Sequence, residues 1–474
     1  MKEILMSKTL TPQAGEKGDR SILKRAVTGA MAGTVMEWYE FFIYGTAAAL
    51  VFSKTFFPAS DNPLDAVLAA FLTYAIGFAA RPIGGLVFGQ LGDRFGRKKL
   101  LQVSLLMIGT ATFLMGFLPD FSVWGYGAPI ALAVLRFIQG IAVGGEWGGA
   151  ILLVGEHSPP KERGFWTSFP QAAASLGNVL ASIVLLGSSM LMTEEAFLSW
   201  GWRMAFWLSA VIVIIGYYIR KNVEDAPIFK EAAARQEKYA EASSGLKTVV
   251  TQYPKQMIKA VLIHAGENAI YYIIIAFTLT YVTMNDLLTN TEVLLIMFIA
   301  NIFQFAAQLI AGKVSDLIGR RNTFLIGGGL LIAWIPFYFP ALHTGDFGTI
   351  SVAVIFGLVA QGTMYAPQAA IYGELFPTRA RYSGVSASYQ VASVIGGAMA
   401  PIIATALWNR FDSWIPIAVY MFVYLVLGIV VMIFGVRETM GTNLEDVDAK
   451  DYEKFIAQGE ANAPSESVVA SVQQ

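Results

Sequence analysis

The chain of 474 residues contains no cysteine. That excludes structural disulfides, thiolate metal sites and a cysteine nucleophile. Charge is scarce as well: 14% of the residues are Asp, Glu, Lys or Arg, where a soluble protein carries about 25%. Basic and acidic residues number 33 and 34, for a net charge of −1, so overall charge suggests no nucleic-acid partner. The motifs H-E-x-x-H, the nucleophile elbow and the Gly-rich phosphate loop with its following Lys-Ser/Thr are all missing, which removes the usual signatures of an enzyme. No short apolar stretch with a cleavage site precedes the first long apolar segment, so that segment is expected to remain as an anchor.

Hydrophobic residues, by contrast, make up 55% of the chain. Crossing a hydrocarbon core of about 30 Å takes about 20 apolar residues. Twelve runs of that kind occur, roughly at 26–52, 66–89, 100–118, 128–156, 165–191, 203–220, 257–283, 292–313, 323–341, 348–374, 382–408 and 415–436. The short alternating segments of a barrel are absent. The expected fold is therefore an all-α integral membrane protein with twelve transmembrane helices. Nearly all Lys and Arg fall in 1–25, 90–99, 157–164, 221–256, 313–322, 375–381 and the tail, whereas the alternate loops carry acids such as Asp61, Asp120, Glu194 and Asp346. By the positive-inside rule both termini are cytoplasmic. The expected domains are a cytoplasmic segment 1–25, a six-helix bundle 26–220, a charged cytoplasmic linker 221–256, a second bundle 257–437 and a disordered cytoplasmic tail 438–474.

The two bundles repeat each other. "GQLGDRFGRKKLL" (89–101) follows span 2 and "GKVSDLIGRRNTFL" (312–325) follows span 8, so Gly89, Asp93, Gly96 and Arg97 match Gly312, Asp316, Gly319 and Arg320. "GEHSPPKERG" (155–164) after span 4 has its counterpart in "GELFPTRARYSG" (373–384) after span 10. Duplicated six-helix halves are the build of an alternating-access transporter.

These segments resemble the major facilitator superfamily, through its loop 2–3 motif "GQLGDRFGRKK" and its span-4 motif "RFIQGIAVG". "MEWYEFFIYGTAAALVF", "RPIGG" (81–85) and "GGEWGGA" (144–150) are similar to one branch, the metabolite:proton symporters. The resemblance covers about residues 26–437 and implies two pseudo-symmetric six-helix bundles in the cytoplasmic (inner) membrane. It implies proton-coupled import of a small organic acid such as shikimate, 2-oxoglutarate or citrate, with a proline/betaine (zwitterion) carrier as the alternative. No cofactor is expected beyond the proton gradient, and the partners are the organic anion or zwitterion, protons and the lipid bilayer, with a monomer as the assembly. A drug:proton antiporter on the same fold would carry Gly-x-x-x-Gly-Pro-x-x-Gly-Gly in span 5, which here reads "FPQAAASLGNVLASIVLLG". An osmosensing betaine carrier would bring a long heptad-patterned tail, which 438–474 is not.

At the basic loops, an acid can pair with basic residues or with the positive end of a neighbouring helix. A cytoplasmic gate is expected from Gly89, Asp93, Arg94, Gly96 and Arg97, with Glu156 and Arg163 as the partners that the resemblance implies for Arg97 and Asp93. The second copy would use Asp316, Arg320, Arg321, Glu374, Arg379 and Arg381.

Spans 1, 4, 7 and 10 line the central cavity in the superfamily, and helical spacing gives each a polar stripe here. Span 1 carries Glu37, Glu40 and Tyr44; span 4 carries Arg136, Gln139, Gly140 and Glu146. Span 7 carries His264, Glu267, Asn268 and Tyr271, and span 10 carries Gln361, Tyr365, Gln368 and Tyr372. Weaker uncharged stripes on spans 5 (Gln171, Ser175, Asn178) and 8 (Asn301, Gln304, Gln308) fit helix-to-helix bonding equally well. Arg136 is the first candidate for an anion contact or for proton coupling, since a guanidinium grips a carboxylate bidentately. Arg81 divides evenly between a substrate contact and a structural pair. The buried acids Glu37, Glu40, Glu146 and Glu267 outnumber the bases Arg81 and Arg136 by four to two. Fully ionised they would leave −2 in a low-dielectric site, so at least one carboxyl is expected to hold a proton for part of the cycle. Glu40 comes first and Glu37 second; the branch usually places Asp at the position of Glu40, one methylene shorter.

Overall fold

The structure, a computed structural model, describes residues 16–58, 62–95, 97–144, 146–224, 246–444, 446–449 and 451. The side chains of 16–19, 22, 85–102, 146, 147, 219–224, 246, 247 and 379 lie outside that description. No strand occurs among the described residues. The principal helices are α1 (Glu16–Ala47), α2 (Pro63–Phe95), α3 (Arg97–Met115), α4 (Gly127–His157), α5 (Arg163–Leu191), α6 (Arg203–Glu224), α7 (Pro254–Met284) and α8 (Asn290–Ile318). They continue with α9 (Arg320–His343), α10 (Phe347–Leu375), α11 (Thr378–Ala392, resuming at Met399–Phe411) and α12 (Ile415–Gly435). Among the described residues, nine helices are long and apolar enough to cross a membrane. A tenth is counted if Glu194–Gly201 and Arg203–Tyr218, bent by 48°, form one span.

Helices are the natural outcome of these runs, because in lipid every backbone N–H and C=O must be satisfied within its own segment. The ends follow from local chemistry. Thr289 and Glu292 form a reciprocal capping box at the start of α8. The Asp346 side chain accepts from the Thr349 amide at the start of α10. Gly319 joins α8 to α9 at φ +105°, a backbone conformation that favours glycine.

Helices α4 and α10 are each interrupted in the same place of the repeat, at a turn by Gly144 and at the turn Ala366–Pro367. Matched π turns follow α1 at Ala48–Phe52 and lie within α7 at Ile273–Phe277, each widening the helix locally. The Thr280 hydroxyl, just beyond the second, donates to the Ala49 carbonyl inside the first at 3.3 Å.

Within the first half α2 packs on α4 and α1 on α5; within the second α8 and α9 pack on α10 and α7 on α12. The halves meet where α5 lies along α8 and where α11 reaches α2. The most apolar window of α7 is 94% buried, so this helix is sheathed on all sides. Its counterparts are buried on one face and apolar on the other, as lipid contact requires.

Residues 438–444, 446–449 and 451 were expected to begin a disordered tail. They instead run across the basic end of the bundle in defined contacts. Glu438 and Asp448 are taken up by helix N-termini, a use that composition alone does not disclose.

Candidate functional site

Where α4 crosses α2, Gly140 lies against the Gly77 backbone, leaving no room for a side chain. One turn away, the space beside Gly77 is filled by the Arg136 guanidinium. The small residues thus let a buried cation sit between the helices. Its Cζ stands 4.2 Å from the Tyr44 ring centroid, 4.8 Å from Phe41 and 4.9 Å from Tyr74, within cation–π reach of each. Arg81 stands 4.7 Å from the same Phe41 ring and 4.7 Å from Phe78. Among the described residues, neither arginine forms an ion pair with a carboxylate. Arg136 Nε and Nη2 are buried without a hydrogen-bond partner.

Arg136 Nη1 donates to Gln139 Oε1, whose Nε2 donates to the Thr112 hydroxyl at 2.7 Å. Thr112 in turn contacts Glu40 Oε2 and lies 2.9 Å from the Ile108 carbonyl. Thr112 has one hydrogen and two acceptors within reach. If Glu40 is protonated, the demands on Thr112 close: Glu40 donates to Thr112, and Thr112 donates to Ile108. Glu40 Oε1 has no partner.

The second half presents a different acid. Glu267 Oε1 accepts from His264 Nδ1 at 2.7 Å and Gln368 Nε2 at 3.2 Å, and Oε2 accepts from Gln361 Nε2 at 2.5 Å. Gln361 Oε1 accepts from Gln304 Nε2 at 2.6 Å, and Gln304 Oε1 from Ser175 at 2.9 Å. A polar chain therefore runs from α7 through α10 and α8 to α5, in the other half. The His264 ring stacks 4.7 Å from Tyr389 and 5.9 Å from Tyr365. Tyr272 bridges the halves, with its ring 5.5 Å from Phe78 and 6.2 Å from Tyr74.

The striped residues thus fall into two linked clusters. Glu37 is buried on α1 within electrostatic reach of Tyr389 in the second cluster; Tyr44 donates to Thr73 at 2.9 Å. Asn268 is buried beside Tyr272 and Gly397, and Tyr271 stacks edge-on to Phe42 and Tyr272. Gln171 Nε2 donates to the Tyr365 carbonyl at 3.4 Å across the halves. The side chain of Glu146 lies outside the described residues. Residues not anticipated are Thr112, Tyr74, Phe78, Tyr272 and Tyr389. Thr112 and the aromatic rings sit in apolar runs whose pattern reads as core, so no stripe marks them.

At the basic end, the partners cross between the halves. Arg163 Nη1 pairs with Glu374 at 2.8 Å, and Glu374 also faces Arg320 at 3.8 Å. Asp316 accepts from the Gly164 and Phe165 amides at 2.9 and 2.8 Å, capping α5 from the opposite half, and pairs with Arg320. Arg381 reaches Glu156 at 3.5 Å. Glu156 and Arg163 were expected to serve Arg97 and Asp93 of their own half. Both touch the other half through Glu374 and Arg381, while the side chains of Arg97 and Asp93, on which the pairing within the half turns, lie outside the described residues. Arg321 donates to the Ile433 carbonyl and stays off the seam. The side chains of Gly89, Asp93, Arg94, Gly96, Arg97 and Arg379 lie outside the described residues.

Two repeated membrane bundles, joined by ion pairs at one end and enclosing a buried guanidinium that has no carboxylate partner among the described residues, have the build of a solute carrier and not of an enzyme. Residues 26–251 match the sugar (and other) transporter family and residues 260–461 the major facilitator superfamily. The inner membrane metabolite transport protein YhjE of Escherichia coli (strain K12) is 39% identical over 82% of this chain and 88% of that protein. The shikimate transporter of the same organism is 37% identical over 88% of this chain and 95% of its own length. A proline/betaine transporter of Salmonella typhimurium is 30% identical over 90% of this chain and 86% of its own. Among solved structures, the proton:xylose symporter XylE bound to 6-bromo-6-deoxy-D-glucose superposes with a TM-score of 0.69 at 16% identity, over 91% of this chain and 99% of that one. The chain belongs to the major facilitator superfamily.

Proposed function

We propose that the protein imports a small organic acid together with protons by alternating access across the cytoplasmic (inner) membrane, as a monomer of twelve spans with both termini in the cytoplasm. The observation that carries this reading is Arg136, a buried guanidinium held by three aromatic rings, with Nε and Nη2 unpartnered. Such a group attracts a carboxylate, which two parallel N–H donors grip bidentately. Glu40, one Gln and one Thr away, takes the proton. Glu267 already accepts three hydrogen bonds and would lose one on protonation. Loading the anion with a proton leaves the net charge unchanged, pairs the guanidinium and discharges Glu40, and lets the halves rock around the site.

Uptake into proteoliposomes tests this with shikimate, 2-oxoglutarate, citrate, proline and betaine, with and without an inward pH gradient. A carboxylate should accumulate only with the gradient; equal uptake in both conditions would remove proton coupling. A zwitterion carrier is the second reading, since proline and betaine also offer a carboxylate to Arg136 and a proline/betaine transporter is among the relatives. Preference for betaine across the panel would favour it.

The ion pairs at the basic end are then the cytoplasmic gate. Asp316→Asn leaves one acceptor for the two α5 amides and sets an NH2 against the other, so a charge-assisted bond across the halves is lost. Losing a charge-assisted bond of about 1.5–3 kcal/mol should favour the inward-open state by tenfold or more. Because the chain lacks cysteine, Ser168→Cys makes a clean reporter: Ser168 is fully buried on α5 under this gate, beside Gly312 of α8. Maleimide labelling of that thiol should rise about tenfold with Asp316→Asn. An unchanged rate would remove the gating role.

A further inference from the structure

The acids that follow α12 are placed on the moving parts of the gate. The Thr442 carbonyl accepts from Arg163 Nη1 at 2.9 Å, so the tail touches the other half through the residue that pairs with Glu374. Asp448 accepts from the Thr378 amide at 2.7 Å and its hydroxyl at 2.6 Å, covering the first turn of α11. The same carboxylate stands 3.8 Å from Arg381 Nη2, while Arg381 Nη1 faces Glu156 of the first half at 3.5 Å. Asp451 takes the Tyr253 hydroxyl at 2.7 Å, at the start of α7. One short stretch therefore holds α7 and α11 at one end and the first half at the other.

We propose that the segment anchored by Thr442, Asp448 and Asp451 is a strap that keeps the gate shut, with Asp448 as the positioning residue that turns Arg381 toward Glu156. The physical case is one of shared charge. A guanidinium between two acids, one on each half, stays extended across the seam only while the acid on its own half fixes its other edge. Without Asp448, Arg381 is free to fold back on the Phe376 carbonyl that its Nε already contacts at 3.1 Å. The Thr442 carbonyl adds a contact that exists only while Arg163 is drawn against the second half. When the cytoplasmic side opens, both cross-half bonds break and the strap travels with α11. Strap and gate therefore stabilise the same state, and the tail tunes how long the carrier faces outward.

This inference rests on the gate reading, and the Ser168→Cys reporter separates the two. Asp448→Ala in the full chain should raise labelling roughly fivefold, the scale of one partly exposed charge-assisted bond. Asp448→Asn, which still caps Thr378 but lacks the charge, should fall in between. Asp448→Glu should bring labelling back toward the parent rate, which a tail that merely aids folding would not produce. If Asp448→Ala does not reach the membrane, Asp448→Asn and Tyr253→Phe carry the test. Faster labelling for Asp316→Asn with parent-like rates for every tail variant overturns the strap and leaves the gate. Parent-like rates for all variants, Asp316→Asn included, overturn both.

Discussion

Glu40→Gln should abolish uphill accumulation while sparing exchange. The glutamine amide is the neutral isostere of a protonated glutamate, and its NH2 can donate to Thr112 as the acid form would, leaving Thr112 to donate to Ile108. The fold around α1 and α3 therefore loses little. What disappears is the ability to release and regain a proton. A pH difference of one unit is worth about 1.4 kcal/mol per proton, which at one proton per solute supports about tenfold accumulation. In proteoliposomes the variant should equilibrate at an inside-to-outside ratio of about one whatever the gradient. Counterflow, where labelled solute exchanges against unlabelled solute, should persist within a few-fold of the parent. Loss of both activities at normal abundance would show Glu40 to be part of the solute site and not the proton carrier. Gradient-driven accumulation by the variant would pass the role to Glu37.

Much of this arrangement can be read from periodicity and repetition. The spacing of Arg136 and Gln139, of His264 and Glu267, and of Gln361 and Gln368 forecasts which side chains share a face, and each pair is in contact or shares a partner. The duplicated loop motifs locate the seam. Two kinds of fact stay hidden. The first is the partner across a helix interface: Thr112 is one hydroxyl in an apolar run, yet it joins Gln139 to Glu40. Helical spacing orders residues within a helix and says nothing of the register between helices. The same limit hides the contact of Arg163 with Glu374, 211 residues away. The second is the destination of an acid in a polar tail. Glu438 is composition without pattern, yet it accepts from the amides of Arg320 and Arg321 and so caps α9. An N-terminus that lacks its own capping residue is a demand that sequence records only at the helix, not at the donor segment. Gln304 and Ser175 lie between these cases. Their stripes are visible, but only the structure places them in a chain that links the halves.

Arg136→Lys separates grip from charge. The ammonium would keep the formal charge that balances the buried acids, so insertion and folding are expected to survive. It would lose the planar face that lies against Phe41, Tyr44 and Tyr74, and the fork that presents Nε and Nη2 together. A lysine chain also ends in a strongly hydrated point charge, poorly suited to a site closed by aromatic rings. If the guanidinium holds the carboxylate bidentately, one charge-assisted bond of about 1.5–3 kcal/mol is lost. Uptake below saturation should then fall by roughly ten- to a hundredfold, with the loss expressed in the solute concentration needed for half-maximal rate. Glu40 remains in place, so the pH dependence of whatever transport survives should keep its shape. A variant with normal solute affinity but no response to the gradient would reverse the assignment. Arg136 would then manage the proton through Gln139 and Thr112, and the anion contact would pass to Arg81, which shares the Phe41 ring. Arg81→Lys, assayed alongside, distinguishes the two arrangements: under the first it costs less than Arg136→Lys, and under the second it costs more.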